Sequence, residues 1–263
     1  MTAERPFTLI HEADDWYAIA KPARLAAHSS ARVQDRVTVA SLLKRQFNGA
    51  RVHLVHRLDR AASGVLLVAR TPEATRRISA ALSSPQTTKR YLALVRGYFR
   101  WDDPVRVDRA MADDNGFIKD CVTEIRSLGR SHDPRCSLLE ARPSTGRFHQ
   151  VRRHCRDLNH PLLRDAEHGD SRANSHWRDT HGLQRLGLHC AEISLATEDG
   201  PIVLRCPPPR DLHSIWSAMP WWDAARTTAP ELLDLPALDL LWPMTPLGRP
   251  APWVPRAEAP RPS

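Results

Sequence analysis

Short apolar runs alternate with polar segments along the N-terminal third of the chain and predict a series of strands and helices. Residues 16–20 form an apolar run that stops shortly before Pro22, which predicts a short strand. TVASLLKRQF repeats apolar residues at helical spacing, with Thr38 placed to cap the helix. GVLLVAR has the length of a buried strand. TPEATRRISAALSS then predicts a helix with Thr71 as its cap and Pro72 at its first position.

The remainder of the chain is predicted to hold more strands than helices. KRYLALVRGYF alternates like a strand, whereas residues 101–117 are polar and predict an inserted loop. CVTEIRSL and CSLLEARP predict two strands joined by the turn-rich GRSHDPR, and LGLHCAEISL and PIVLRCP predict two more. Helices are predicted for GRFHQVRRHCRDL and RDLHSIWSAM. Because helices fall between groups of strands, the order favours an α+β fold with a mixed, mostly antiparallel sheet and flanking helices.

The last part of the chain differs in composition from the rest. From about Thr227, proline recurs every few residues. This predicts a folded domain over residues 1–226 and a proline-rich C-terminal tail over residues 227–263. The leucine and tryptophan content of the tail indicates that part of it packs on the domain.

Composition and charge point to a globular protein with a polyanionic partner. The chain is 41% hydrophobic and 26% charged, and its formal net charge is +8. Arginine far outnumbers lysine, and its guanidinium suits bidentate contacts with phosphate. Such a balance indicates nucleic acid. A genome that favours arginine codons would produce the same balance, so charge alone does not decide.

Cysteine usage and hydropathy predict a cytoplasmic protein that has no membrane-spanning segment. The five cysteines are odd in number and none has CxxC spacing, which argues against a disulfide scaffold or a zinc knuckle. The N-terminus lacks the apolar segment of a secretory signal. No run of about 18 apolar residues occurs, so no membrane segment is expected.

A helical wheel of the predicted helix after Arg147 separates its apolar residues from its basic ones. One face is apolar, and the opposite face carries basic side chains; the apolar positions are Phe148, Val151, Cys155 and Leu158, and the basic ones are His149, Arg153 and Arg156. Arg152 lies at the border, where a guanidinium can be half-buried and can pair with a buried carboxylate. An ordinary amphipathic helix with a basic solvent face would have the same spacing.

Other kinds of site receive little support. The chain has no P-loop, GxGxxG or GxSxG motif, so common nucleotide and hydrolase sites are not indicated. Several potential metal ligands follow in sequence, namely His149, His154, Cys155, His160 and His168. The first two are five residues apart, off one helical face, and no carboxylate completes the group, so no metal is predicted.

Four segments in fixed order resemble the RluA family of pseudouridine synthases. They are VHRLDRAASGVLLVAR, KRYLALVRG, PSTGRFHQVRRHCRDLNHPLL and LQRLGLHCAEISL. LIHEADDWYAIAKPARLAAHSS resembles the family's opening strand and Lys-Pro turn, so the likeness spans about Leu9 to Pro207. It implies the pseudouridine synthase fold with a central RNA-binding catalytic cleft. It also implies isomerisation of a uridine to pseudouridine, an RNA partner and no cofactor.

The resemblance assigns roles to individual residues. Asp59 matches the essential carboxylate, Arg152 the arginine that pairs with it, and Tyr91 the tyrosine that stacks on the base after it is flipped out of the RNA. Arg57 matches the loop arginine that can fill the space left in the RNA by the flipped base. RNA contacts are expected from His56, Arg57, Arg60, Lys89, Arg147, His149 and Arg153.

Two segments look closest to the branch of the family that modifies uridine 65 of certain tRNAs, QVRRHCRDLNHPLLRDAEHGDSRAN and GLQRLGLH. An enzyme acting on tRNA is therefore expected; a monomer is also predicted. Two departures lie near the substrate side: Ala61-Ala62 replace the usual Pro-Thr, and Arg164 replaces the usual glycine before Asp165. The alternatives are a ribosomal RNA synthase of the same family and a non-catalytic RNA-binding protein. The intact catalytic residues argue against the latter.

Overall fold

The computed structural model describes residues 6–29, 35, 37–47, 51–112, 116–198, 200–240, 242–243 and 250. The strands in these ranges are β1 (Thr8–Glu12), β2 (Trp16–Lys21), β3 (His53–Leu54), β4 (Ser63–Ala69), β5 (Thr88–Arg96), β6 (Val105–Val107), β7 (Met111–Ala112), β8 (Ile118–Lys119), β9 (Thr123–His132), β10 (Arg135–Pro143), β11 (Leu188–Thr197) and β12 (Gly200–Arg205). The helices are α1 (Val39–Gln46), α2 (Pro72–Ser83), α3 (Gln150–Asp157), α4 (Ser171–His181), α5 (Arg210–Trp216), α6 (Trp222–Thr228) and α7 (Pro230–Leu233).

One large sheet organises the molecule. Its main order is β1-β2-β4-β11-β5-β10-β9-β6, with β12 added to β11 and β3 added to β4, while β7 and β8 form a separate hairpin. Among the described strands, every pairing is antiparallel except that of β4 with β11. The predicted mixed, mostly antiparallel sheet with flanking helices is confirmed.

The first two helices begin where the sequence predicts. Thr38 accepts a hydrogen bond from the Ser41 amide, and the Ser41 hydroxyl accepts one from the Thr38 amide, which completes a capping box. Thr71 accepts from the Ala74 amide, and Pro72 follows it at the first position. These capping bonds satisfy amides that have no partner inside a helix.

Several segments form elements that the sequence pattern did not predict. Residues 101–117 contain β6 and β7 rather than loop alone, and β9 and β10 extend through most of the segment predicted as their turn. Helices α4, α6 and α7 were also missed. Helix α4 has few apolar residues, and its stability depends on Trp177, which is buried in a core shared with distant strands. Such a helix leaves a weak periodic signal because tertiary packing supplies its stability.

The predicted tail contributes to the packing as far as it is described. Leu232 and Leu233 are buried beside the helices α5 and α6, while Leu240 and Trp242 join the core around β2 and β4. The Ala23 amide donates to the Leu240 carbonyl at 2.6 Å. The boundary after Arg226 stays a prediction, but part of the segment beyond it is held by burial and backbone hydrogen bonds.

The parallel contact between β4 and β11 requires a glycine at position 64. Gly64 has a positive φ of 127°, and a Cβ placed there would lie 2.2 Å from the carbonyl oxygen of Cys190. Both strands are buried, so neither backbone has room to move. Gly64 therefore allows the close approach that sets the start of β4 beside β11.

We expect Gly64→Ala to destabilise the fold by about 3 kcal/mol, because it adds a side chain to a closed backbone contact and at positive φ. Urea denaturation would measure the change. Gly182→Ala is a matched control, since Gly182 also has positive φ, 68°, but open space around its Cβ position. Equal destabilisation by both variants would show that backbone conformation, rather than the contact with Cys190, is responsible.

Candidate active site

Asp59 lies in the loop that leads from β3 into β4. The Ala62 amide donates to the Asp59 carbonyl at 3.1 Å and closes a turn around the acid. Leu58 is buried, while the Asp59 side chain stays 17% exposed. The loop is therefore anchored on both sides of a carboxylate that still reaches solvent.

Arg152 is the arginine that meets this carboxylate. Its Nη1 donates to Asp59 Oδ2 at 3.2 Å, although 93 positions separate the two residues. The guanidinium is buried, with 6% of the side chain exposed. The border position predicted from the helical wheel of α3 thus places Arg152 beside Asp59, as the resemblance implies.

A second carboxylate, which sequence reasoning missed, holds the same arginine. Asp165 accepts two hydrogen bonds from Arg152, each 2.7 Å long, and its side chain is fully buried. Burial favours the neutral acid, yet the hydrogen bonds and charge of Arg152 keep the pKa of Asp165 below its usual value. The backbone amides of Glu167 and His168 also donate to it. Asp165 therefore orients Arg152 toward Asp59.

Backbone conformation explains the glycine that usually precedes this aspartate in the family. Arg164 has a positive φ of 64°, a region that glycine enters without a steric penalty. Its amide donates to Asn174 Oδ1 at 2.6 Å, and Asn174 Nδ2 donates to the Asp165 carbonyl at 2.7 Å. Asn174 thus holds the turn although arginine occupies its left-handed position. The only sequence signal for Asp165 was that family position, since the surrounding LLRDAEHGD has no clear period.

Tyr91 lies on β5, opposite Cys190 of β11 and Ala141 of β10. Its ring lines a cavity of about 70 Å³ together with Asp59 and Arg152. Burial, with the nearby Cys190 and the charge of Asp59, raises the pKa of the phenol well above its ordinary value. Tyr91 therefore remains a neutral phenol, and the three residues predicted to be catalytic line one cavity.

His149 lies at the centre of this site rather than on the outer face of a helix. Helix α3 begins only at Gln150, because His149 adopts a left-handed conformation with φ of 53°. The imidazole stacks on Phe148 at 3.6 Å, and its Nε2 lies 3.8 Å from Asp59 Oδ2. Burial lowers the pKa of His149, so the ring tends to be neutral. The helical wheel assigned Phe148 and His149 to helix faces, which is wrong because both residues precede the first residue of α3.

The other residues predicted to bind RNA divide into two groups. Arg57 and Arg147 are exposed at the cavity, with the Arg57 guanidinium 5.2 Å from the centre of the Phe148 ring. The remaining four lie outside its lining. His56 accepts a hydrogen bond from the Leu67 amide, Arg60 pairs with Asp35, Arg153 contacts the Ala112 carbonyl, and Lys89 is half-buried on β5. Their contacts with RNA stay predictions.

One group of side chains near the site offers metal-binding atoms. Ligand atoms of His149, Glu167 and His168 lie within 4.8 Å of one another. His149 Nδ1 and His168 Nε2 are 3.1 Å apart, which one hydrogen bond between neutral rings explains. Glu167 already lies 3.4 Å from the Arg152 guanidinium, a neighbour that opposes a cation. Glu167 thus supplies a carboxylate that the sequence argument did not place beside these histidines, and the absence of a metal stays a prediction.

Lys21 is a further residue that sequence reasoning did not place at the site. Its Nζ is fully buried and donates to the carbonyls of Pro22 and Ala62 at 2.7 and 2.8 Å. Burial lowers the pKa of the lysine to about 7, although the charge of Asp59 opposes that change. Because a neutral amine still donates two hydrogen bonds, Lys21 anchors the end of the Asp59 loop in either protonation state.

We expect Lys21→Met to destabilise the fold by about 2 kcal/mol, because two buried carbonyls lose their donor. The difference from the wild type should grow between about pH 7 and pH 10, by up to about 1.4 kcal/mol per pH unit. In that window the unfolded lysine holds a proton that the folded lysine has released, so rising pH favours the folded wild type. Urea denaturation of both proteins from about pH 7 to pH 10 measures this difference in stability. A difference that does not change with pH would contradict the lowered pKa of Lys21.

Comparisons with known proteins identify the family of the chain. A model of the RNA pseudouridylate synthase family matches residues 15–157. "tRNA pseudouridine synthase C" of Pectobacterium carotovorum subsp. carotovorum is 35% identical over 234 residues, which cover 81% of this chain and 60% of that protein. The protein of the same name in Salmonella typhimurium is 36% identical over 203 residues, covering 69% of this chain and 77% of its own.

Solved structures show the same fold. Human RNA Pseudouridylate Synthase Domain Containing 1 superposes with a TM-score of 0.64 at 22% identity, covering 80% of this chain and 88% of that one. Human RNA Pseudouridylate Synthase Domain Containing 4 superposes with a TM-score of 0.65 at 21% identity. None of the helices in the described ranges is long and apolar enough to cross a membrane. The chain belongs to the RNA pseudouridylate synthase family, whose members are isomerases that act on RNA.

Proposed function

We propose that this protein isomerises one uridine of tRNA, uridine 65, to pseudouridine. The observation that carries the reaction is the shared cavity of Asp59, Tyr91 and Arg152. The names of the relatives and the two branch-like segments support tRNA as the substrate. The net charge of +8 suits a polyanionic substrate.

The reaction needs an ionised carboxylate at the sugar. The bond from C1′ to N1 of uracil breaks, the base rotates, and C1′ bonds to C5, whose proton is released while N1 regains one. Asp59 serves either as a nucleophile at the sugar or as a base that removes a sugar proton. The Arg152 guanidinium, held by Asp165, places a positive charge beside the carboxylate oxygen of Asp59.

The uridine must leave its base stack to reach this acid. Flipping costs a few kcal/mol, which contacts on either side of the extruded nucleotide offset. Tyr91 gives the base a neutral aromatic surface in the cavity. Arg57, which is exposed at the rim, is placed to occupy the vacated position in the RNA or to hold its backbone.

Purified protein incubated with tRNA transcripts tests the proposal, with pseudouridine mapped by carbodiimide modification and primer extension. We expect one modified position at uridine 65, and none in a transcript with cytidine there. Modification of ribosomal RNA fragments but not of any tRNA would overturn the substrate. Binding to RNA with no modified uridine in either would overturn the catalytic function.

A further inference from the structure

A second and larger cavity lies away from Asp59, at the end of the sheet where β5 leaves it. Its volume is about 930 Å³, and it is bounded by residues 96–101, the β9–β10 turn, the end of α3 and one side of α4. Asp59, Tyr91 and Arg152 do not line it. From strand geometry, Tyr91 and Arg96 are five steps apart along β5, which is a distance of about 17 Å. The cavity is therefore separate from the catalytic site, yet on the same rigid strand.

The walls of this cavity are basic. Arg96, Arg100 and Arg135 line it, and among the lining residues one carboxylate, that of Asp133, opposes them. Arg96 is paired with Asp170 at 2.8 Å. In the ranges that the structure describes, no carboxylate oxygen lies within 4.0 Å of a side-chain nitrogen of Arg100 or Arg135. Two guanidinium groups are thus available to an anion.

The positive field also acts on a histidine inside the cavity. Burial lowers the pKa of His160, and the charges of the three arginines lower it further. His160 Nδ1 is bonded to the Arg96 carbonyl at 2.9 Å, so the ring is part of the wall. The three arginines thus lie near one another around His160, which lines the same cavity.

Flat aromatic surfaces lie among these charges. The rings of Tyr98 and His132 stack with centroids 4.0 Å apart and planes 8° apart. Arg130 covers the Tyr98 ring at 5.2 Å, while His132 is exposed at the end of this stack. Trp101 lines another part of the cavity, with the Arg100 guanidinium 4.8 Å from its ring. Stacking surfaces beside arginines suit a nucleotide better than an acidic peptide.

We propose that this cavity binds a nucleotide of the substrate RNA, on the order of five base steps from the flipped uridine, through base stacking and phosphate contacts. Arg100 and Arg135 hold the phosphate, and His132 or Trp101 receives the base. This assignment rests on the proposed RNA-modifying function and adds a second contact that sets the position of the RNA. Its effect is on binding, since none of these side chains reaches the reacting uridine.

The test is the double variant Arg100→Glu/Arg135→Glu, in which the charge of both exposed arginines is reversed. The control is Arg76→Glu/Arg210→Glu, which has the same change in charge at exposed positions outside the cavity. We expect KM for full-length tRNA to rise at least about tenfold over the control, with kcat within about twofold. The slope of log affinity against log salt should become less steep by about 1, because the contact with one phosphate is lost. An isolated target stem that ends short of the cavity should show no such difference.

Equal KM in the double variant and the control would overturn the proposal, as would a fall in kcat alone. If no tRNA is modified, the proposed function fails; fluorescence anisotropy with the same tRNA still measures the cavity, and tenfold weaker binding by the double variant supports it. Free 5′-UMP and a polyglutamate peptide identify the ligand class. Binding of 5′-UMP at the cavity with unchanged RNA affinity, or equal competition by polyglutamate, would overturn an RNA strand as the occupant.

Discussion

Asp59→Ala is expected to abolish pseudouridine formation while RNA affinity stays within about tenfold of the wild type. Asp59 lines the cavity with Tyr91 and Arg152, whereas the nearby carboxylates Asp165 and Glu167 lie outside the lining, and Asp165 is fully buried against Arg152. Single-turnover assays with tRNA measure the reaction, and fluorescence anisotropy measures binding. Because Asp59 is partly exposed, its removal leaves no buried cavity to collapse.

Two further variants make this result specific. Asp59→Asn keeps the shape and removes the charge, so it should be as inactive as the alanine variant if the ionised form is required. Asp35→Ala removes a carboxylate that pairs with Arg60 of the same loop but does not line the cavity, and it should retain activity. Appreciable turnover by Asp59→Ala would contradict the mechanism at its first step.

Arg152→Ala is expected to lose both stability and activity. Asp165 would be left fully buried without its cation, which costs about 3–5 kcal/mol when one partner of a buried pair is removed. Asp59 would lose its 3.2 Å hydrogen bond at the same time. Urea denaturation measures the first loss, and turnover by the folded fraction at low temperature measures the second.

Arg152→Lys separates charge from geometry. A lysine keeps one positive charge but cannot bond both Asp165 oxygens and Asp59 together, so we expect partial recovery of stability with activity at least about tenfold below the wild type. Arg156→Ala, one turn later in α3, should change little, because Arg156 is exposed and pairs with the neighbouring Asp157 at 2.8 Å. Near-normal activity of Arg152→Ala would point instead to His149, 3.8 Å from Asp59, as the partner.

Features that depend on neighbouring residues could be predicted from the sequence. Thr38 and Thr71 cap their helices as expected, because a cap bonds amides only three residues away. The apolar runs of β2 and β4 were recognisable because both strands are buried throughout. Helix α4 could not be found this way, because much of its surface is polar and its buried Trp177 depends on a distant core.

The candidate site was predictable in its members but not in its arrangement. The order of four motifs named Asp59, Tyr91 and Arg152, and the wheel of α3 favoured Arg152 over Arg153 as the half-buried arginine. Neither source indicated that His149 has a left-handed backbone and turns toward Asp59. Lys21 was noted only as part of a Lys-Pro turn, since nothing local shows that its amine reaches the Ala62 carbonyl 41 positions later.

By itself, the sequence determined the helix caps, the buried strands, the mostly antiparallel sheet and the family, because each depends on short-range pattern or on motif order. Only the tertiary structure decided which charges meet. Arg152 joins Asp59 across 93 positions and Asp165 across 13, and these pairs exist only after the sheet and α3 bring the loops together. Burial then makes the pairing necessary, because a buried guanidinium without carboxylate partners would carry a large desolvation cost.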